Sequence, residues 1–361
     1  MKKFLALALA LVMVLSLFAG CGKEEAPAAD PADPAAPAAP AADDGKVYEF
    51  TLSMHDAKTT PNAVYMQSWI DKVAEATDGK VKITLYDSAT LSAATDIGVN
   101  VTEGAVDIGW LYTSYYAGQF PLSDVINLPF QGFGDPIVST NVLWDLYAEY
   151  EEIQNEWAGY KLLMLYGNPG MMFASADAPI TSVADLAGRS MRCPAGAITD
   201  LLTTWGASPI TMAPPDIYES IEKGVISGYI FEPSGITNFS LEEVTKYYTD
   251  LPMYDGPFAL IMNLDQWNSL PQEYKDAIDA ISGKDASLGA AQAFADAVNV
   301  AREDIVAAGG EFVSVSDEAM AEFAVEADKY AATWAETQSA NGFDAAGFLA
   351  KAKEIAASYA G

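Results

Sequence analysis

Residues 81–110 read VKITLYDSATLSAATDIGVNVTEGAVDIGW. Val81, Ile83 and Leu85 alternate with polar residues, the two-residue period of a half-buried strand. A helix is expected from about Ala93 to Glu103, and Gly104 then leads into a further strand, Val106-Asp107-Ile108-Gly109-Trp110. Upstream, Tyr48 to Ser53 alternates in the same way. The loop from His55 to Asn62 then opens an amphipathic helix with Met66, Trp69, Ile70 and Val73 on one face, ended by Thr77-Asp78-Gly79. Strand, helix, strand, helix, strand is the pattern of a parallel α/β lobe.

The pattern resumes further along. Lys161 to Phe173 is strand-rich, Val183 to Leu186 makes a short helical turn before Gly188, and Ser190-Met191-Arg192-Cys193 is a strand stopped by Pro194. Helix is expected from about Ala197 to Trp205, with Gly206 where left-handed backbone costs least. A helix near Asp216 to Lys223 and strands Val225 to Phe231 and Phe258 to Asn263 complete a second sheet and return the chain to the first. The rest is helical: Gln272 to Ile281, an Ala-rich helix from about Leu288 to Ala308, a strand from Phe312 to Val315, and two closing helices. The small side chains of the long helix let backbones approach closely, so it reads as a brace and not a coiled coil. The expected organisation is lobe I from 46–169 with 258–297 and lobe II from 170–257 with 298–361, two α/β lobes around a hinged cleft.

The ends bound the context. Lys2 and Lys3 precede an apolar run from Phe4 to Phe18, too short to span a bilayer, followed by Ala19-Gly20-Cys21. Residues 1–20 read as a secretory signal, and Cys21 as the acylated N-terminus of a lipoprotein. Residues 21–45 are a tether dominated by Ala, Pro, Asp and Glu, a composition that buries too little apolar area to fold. The chain has 50 acidic residues; loss of Lys2 and Lys3 leaves 17 basic ones and a net charge of −33. Such a charge opposes nucleic acid and anionic lipid as partners. With Cys21 lipidated, Cys193 has no partner for a disulfide and reads as a small packed hydrophobe. His55 is the only histidine, and no nucleotide loop, metal-ligand spacing or nucleophile motif is present, so neither a cofactor, a metal nor an enzymatic activity is expected.

Six segments then carry a resemblance: Gly79 to Ile83, Glu103 to Gly109, Gly118-Gln119-Phe120-Pro121-Leu122, Leu128-Pro129-Phe130, Asp185 to Arg192, and Met262 to Pro271. In this order they resemble the solute-binding proteins of TRAP transporters, the tripartite ATP-independent carriers of organic acids. The resemblance implies a type II periplasmic-binding-like fold that closes around its ligand and a partner of two membrane subunits. It also implies that Arg192 pairs with the ligand carboxylate. A second arginine common in acid-binding relatives is replaced here by Gly170-Met171-Met172-Phe173, and Glu232-Pro233-Ser234 stands where many relatives have Pro-Trp-Glu.

The residues support the same site. A carboxylate leaving water needs paired donors, which a planar guanidinium supplies, and only Arg189, Arg192 and Arg302 exist. The helix start near Ala195 to Ile198 is expected to add amide donors for the anion. Trp110, Tyr112 and Tyr115 follow the third strand, where ligands of parallel sheets sit, though Trp110 equally suits the core. His55 and Asn62 occupy the mouth loop. Phe231 and Glu232 end a strand, with Glu232 either contacting ligand or solvated at a hinge. Asn263 is either a ligand contact or a helix cap. The reading is an extracytoplasmic lipoprotein that captures a small organic acid; a sensor-linked binding protein, a lipid-anchored enzyme and a structural surface protein are the alternatives.

Overall fold

The computed structural model describes residues 45–251 and 253–360. The expected signal, Cys21 and all but the last residue of the tether lie outside them. β1 (Tyr48–Ser53) leads through the His55 loop into α1 (Pro61–Ala76). The Thr60 hydroxyl accepts the Ala63 amide at 3.3 Å, and Pro61 fills a first-turn position that needs no amide. Gly79, at φ 73°, turns the chain into β2 (Val81–Tyr86). α2 (Ile97–Thr102) starts later than expected, after a turn over residues 94–96. β3 (Ile108–Tyr112) follows, then α3 (Pro136–Glu149) and α4 (Glu151–Glu156) before β4 (Tyr160–Gly167).

The chain then makes β5 (Met172–Ser175), β6 (Ser190–Cys193), α5 (Ala197–Thr204), β7 (Ser208–Thr211), α6 (Ile217–Glu222), β8 (Gly228–Phe231), α7 (Pro233–Asn238) and β9 (Tyr247–Asp250). It returns in β10 (Pro257–Asn263) and closes with α8 (Leu264–Ser269), α9 (Gln272–Asp279), α10 (Gly283–Ala307), β11 (Glu311–Ser314), α11 (Asp317–Gln338) and α12 (Ala345–Tyr359).

Two sheets result, ordered β2-β1-β3-β10-β4 and β11-β9-β5-β8-β6-β7. The first is not purely parallel, as the opening pattern suggested. β1 pairs parallel with β2 and β3, but β10 runs antiparallel to both β3 and β4. The reason is topological: β4 leaves for the second sheet and β10 comes back, so neighbours carrying opposite traffic must run in opposite directions. The two crossing segments bond to each other. The Asn168 amide donates to the Gly256 carbonyl at 3.1 Å, Met171 to Tyr254 at 2.9 Å, and Met253 to Met171 at 3.0 Å.

Side-chain alternation on β3 feeds both faces of the first sheet. Ile108, Trp110 and Tyr112 join the core that holds Met66 and Trp69 of α1, whereas Leu111 joins Leu143 of α3 and Phe348 of α12. Each such large apolar side chain stabilises the fold by roughly 1.5–3 kcal/mol. α10 packs on α1, α3 and β4 and also on α7 and β11, so it braces both sheets. α12 corrects the expected grouping of 298–361 with the second sheet. Its apolar face, with Phe348, Ala352 and Ile355, is buried against α3 beside the first.

Candidate functional site

Arg192 is the third residue of β6, its neighbours Ile210 on β7 and Tyr229 on β8. It is 2% exposed. Its Nε donates to the Met212 carbonyl and its Nη1 to the Ile230 carbonyl, both at 3.0 Å, and the guanidinium lies 5.3 Å from the Phe231 ring centroid. No acidic side chain forms a salt bridge with it among the described residues, although the chain has 50 of them. Burial pulls its pKa below the usual arginine value while nearby Tyr115 opposes the shift. A guanidinium titrates so high that it stays charged here. Two neutral carbonyls orient this cation, and its remaining N–H groups have no protein anion to meet.

Arg192 lines a cavity of about 50 Å³ between the two sheets. Of the residues singled out from sequence, Tyr112, Tyr115, Phe231, Glu232, His55 and Asn62 join it there. The Asn62 amide donates to Asp56 Oδ2 at 3.2 Å, and Tyr166 Oη, which accepts the Trp110 indole N–H at 2.6 Å, donates to Asn62 Oδ1 at 3.4 Å. This chain holds the mouth loop against the first sheet. Burial lowers the pKa of His55 against the raising effect of Asp56, so the imidazole is neutral near pH 7, and its Nδ1 has no hydrogen-bond partner. Burial pushes Glu232 up to about 7, against the Ser234 hydroxyl that donates to its Oε2 at 2.6 Å.

Three expectations are corrected. Trp110 does not line the cavity: it is fully buried one strand period below Tyr112, its ring 4.7 Å from His55 and 4.5 Å from Phe258, and it supports both from behind. Asn263 sits at the other end of β10, five residues or about 17 Å from Phe258 along an extended strand. There it caps α8, accepting the Gln266 amide at 3.0 Å, and donates to the Val101 carbonyl at 2.8 Å. The first amides of α5 are not at the site either. Pro194 reaches the cavity, but Gly196 and Ala197 line a separate groove with Asp124 and Tyr330. The other two arginines are paired elsewhere: Arg189 with Asp177 at 2.7 Å and Arg302 with Asp250 at 3.1 Å. Cys193 is buried and its thiol pushed up by burial, as a packed hydrophobe should be.

Sequence reading missed Asp56, Asn168, Met171, Phe239, Phe258 and Phe294, which also line the cavity. Asn168 and Met171 come from the crossing segment. A signal existed for Phe294, the one aromatic side chain in the Ala-rich α10.

A model of the family described as bacterial extracellular solute-binding protein, family 7, matches residues 52–338. A marine metagenome TRAP solute binding protein specific for aromatic acid ligands, solved with metahydroxyphenylacetate, is 26% identical with a TM-score of 0.82, covering 87% of this chain and 100% of that one. A TRAP periplasmic solute binding protein from Bordetella bronchiseptica, with bound mandelate, is 25% identical with a TM-score of 0.79, covering 86% and 99%. Among curated proteins, the outer membrane transporter protein TsaT of Comamonas testosteroni is 25% identical over 283 residues, 77% of this chain and 82% of that protein. The chain belongs to family 7 of the bacterial extracellular solute-binding proteins, and it is a binding protein, not an enzyme.

Proposed function

We propose that this protein captures a small organic acid by its carboxylate at Arg192 and delivers it to the two membrane subunits of a TRAP transporter. The observation that carries this reading is a buried arginine fixed by backbone carbonyls, in a cavity, without an acidic partner. Burying a cation costs several kcal/mol unless an anion compensates, and a guest carboxylate is the compensation this site lacks. The relatives solved with metahydroxyphenylacetate and mandelate, both aromatic acids, support the same class of guest. The walls on the two sides come from different sheets, with Tyr112 and Phe258 on the first and Arg192 and Phe231 on the second. Capture therefore includes closure of the lobe built on the first sheet, α12 included, on the lobe built on the second about the crossing segments.

Calorimetric titration with benzoate and benzamide tests the carboxylate requirement, and equal affinity for the two would sink it. In the same samples X-ray scattering is expected to show a smaller radius of gyration once the acid saturates the site; superimposable curves would remove the closure.

The extracytoplasmic position follows from membership of an extracellular family. We further propose that a lipid on Cys21 holds the protein at the membrane surface through the 21–45 tether. Cys21→Ser is expected to move the protein from the membrane fraction to the soluble one on cell fractionation, and unchanged partition would rule out the anchor.

A further inference from the structure

Resting on the reading that Arg192 holds a carboxylate, we infer that Glu232 is the specificity-determining residue of this cavity, selecting an aromatic monocarboxylate that also carries a hydroxyl. A guanidinium and a carboxyl group face one space. Arg192 is the cationic pole; Glu232, 5% exposed and lining the same cavity, is an acidic one. The two make no salt bridge, so neither cancels the other within the protein. Asp56 is also acidic, but Asn62 donates to it and Thr60 lies at 3.4 Å, so its Oδ2 is occupied by its own loop.

Glu232 has capacity to spare. A carboxylate accepts roughly four hydrogen bonds, and Glu232 receives the Ser234 hydroxyl at 2.6 Å together with the Ser234 and Gly235 amides, which leaves about one site for a guest. A guest hydroxyl is the donor that fits, while a second guest carboxylate would bring a further negative charge into a buried space already lined by two acidic side chains, Glu232 and Asp56. Between the poles the walls are flat and aromatic: Tyr112 stacks on Phe258 at 4.7 Å, Phe231 on Phe239 at 5.9 Å, and Phe294 closes the side at 5.7 Å from Phe258. Such walls take a planar ring better than a flexible chain. A ring carrying a carboxylate and a hydroxyl meets all three requirements.

The test is calorimetric titration of the wild type, Glu232→Met, Glu232→Gln and Arg192→Lys with benzoate, the three hydroxybenzoates and their methoxy counterparts. At least one hydroxybenzoate is expected to bind the wild type about tenfold or more tighter than both benzoate and its methoxy analogue, because a site built to pair a hydroxyl rejects the analogue lacking it. Glu232→Met, similar in length but without an acceptor oxygen, is expected to erase that preference, so that no hydroxybenzoate binds it more tightly than benzoate does. Glu232→Gln should weaken the preference, and it reads the effect if the methionine variant does not fold. No hydroxyl preference in the wild type, or an undiminished one in both Glu232 variants, overturns the inference. If Arg192→Lys weakens every acid in that case, carboxylate capture survives without it. If Arg192→Lys weakens none, or no acid binds the wild type, both fall.

Discussion

Arg192→Lys is expected to bind a carboxylate ligand at least about tenfold more weakly than the wild type, a loss of ~1.4 kcal/mol, and Arg192→Ala on the order of a hundredfold more weakly or worse. The lysine variant keeps the charge, so the comparison isolates geometry. An ammonium, with three N–H groups, cannot hold the Met212 and Ile230 carbonyls and still offer a carboxylate two N–H bonds, whereas the guanidinium, with five, has three left after those two. Alanine removes the charge and also leaves two carbonyls without donors, so its loss of affinity has to be read beside its melting temperature. Arg189→Lys is the control, because Arg189 is engaged with Asp177 and with the Asp185 and Ala178 carbonyls outside the cavity. Calorimetry on the three variants settles the matter: unchanged affinity in Arg192→Lys, or an equal loss in Arg189→Lys, takes Arg192 out of the site.

The second large effect is on stability. The unliganded protein is expected to be more stable near pH 5 than near pH 8. Burial raises Glu232 to about 7, Glu156 to about 7 and Asp124 to about 6, from ordinary values of 4.5, 4.5 and 3.8. A group whose folded pKa lies above its unfolded one binds a proton more tightly when folded. Its contribution is therefore fully present below the unfolded pKa and is lost as pH rises through the folded one. The window runs from about pH 4 to 7, and the shift at Glu232 alone corresponds to roughly 3 kcal/mol. His55, whose pKa burial lowers, and Asp185, lowered against burial by hydrogen bonds from Thr181 and Ser182, act in the opposite sense, but Asp185 is close to solvent and one imidazole is set against three raised carboxyls. The net charge of −31 for the full chain adds repulsion of the same sign as pH rises. Salt separates the two causes, since repulsion between exposed charges is screened within a few ångströms at molar ionic strength while burial is not. Denaturant titrations in 1 M salt should still show stability falling from pH 5 to 8, with a shallower fall in Glu232→Gln. Flat or rising stability would mean these carboxyls are not buried as described.

Several of the elements that sequence reading recovered have one wet face. β1 and β2 alternate, and α1 carries a clean apolar stripe, so period alone places them. α3 escaped because it is buried on several sides: Ser139, Thr140 and Asn141 are as hidden as Val142 and Leu143, which leaves no polar stripe to mark the period. β9 escaped because Tyr-Tyr-Thr-Asp is too short to show alternation. At the site, Arg192 stood out through rarity in an acidic chain. Phe258, Phe294 and Asn168 could not, since nothing local in β10, α10 or the crossing segment says that folding will aim them at one space. Trp110 was drawn in for the converse reason: it shares a strand face with Tyr112, and the alternation that gives the face does not give the depth.

The two oxygens that steady Arg192 belong to the main chain at Met212 and Ile230. Peptide oxygens are present whatever side chain is encoded, so mutation at those two codons leaves the grip on the anionic end of the guest in place. Drift in the surrounding walls then alters which molecules are admitted without dismantling the handle by which they are held, and a lineage built on this scaffold can change its diet one wall residue at a time.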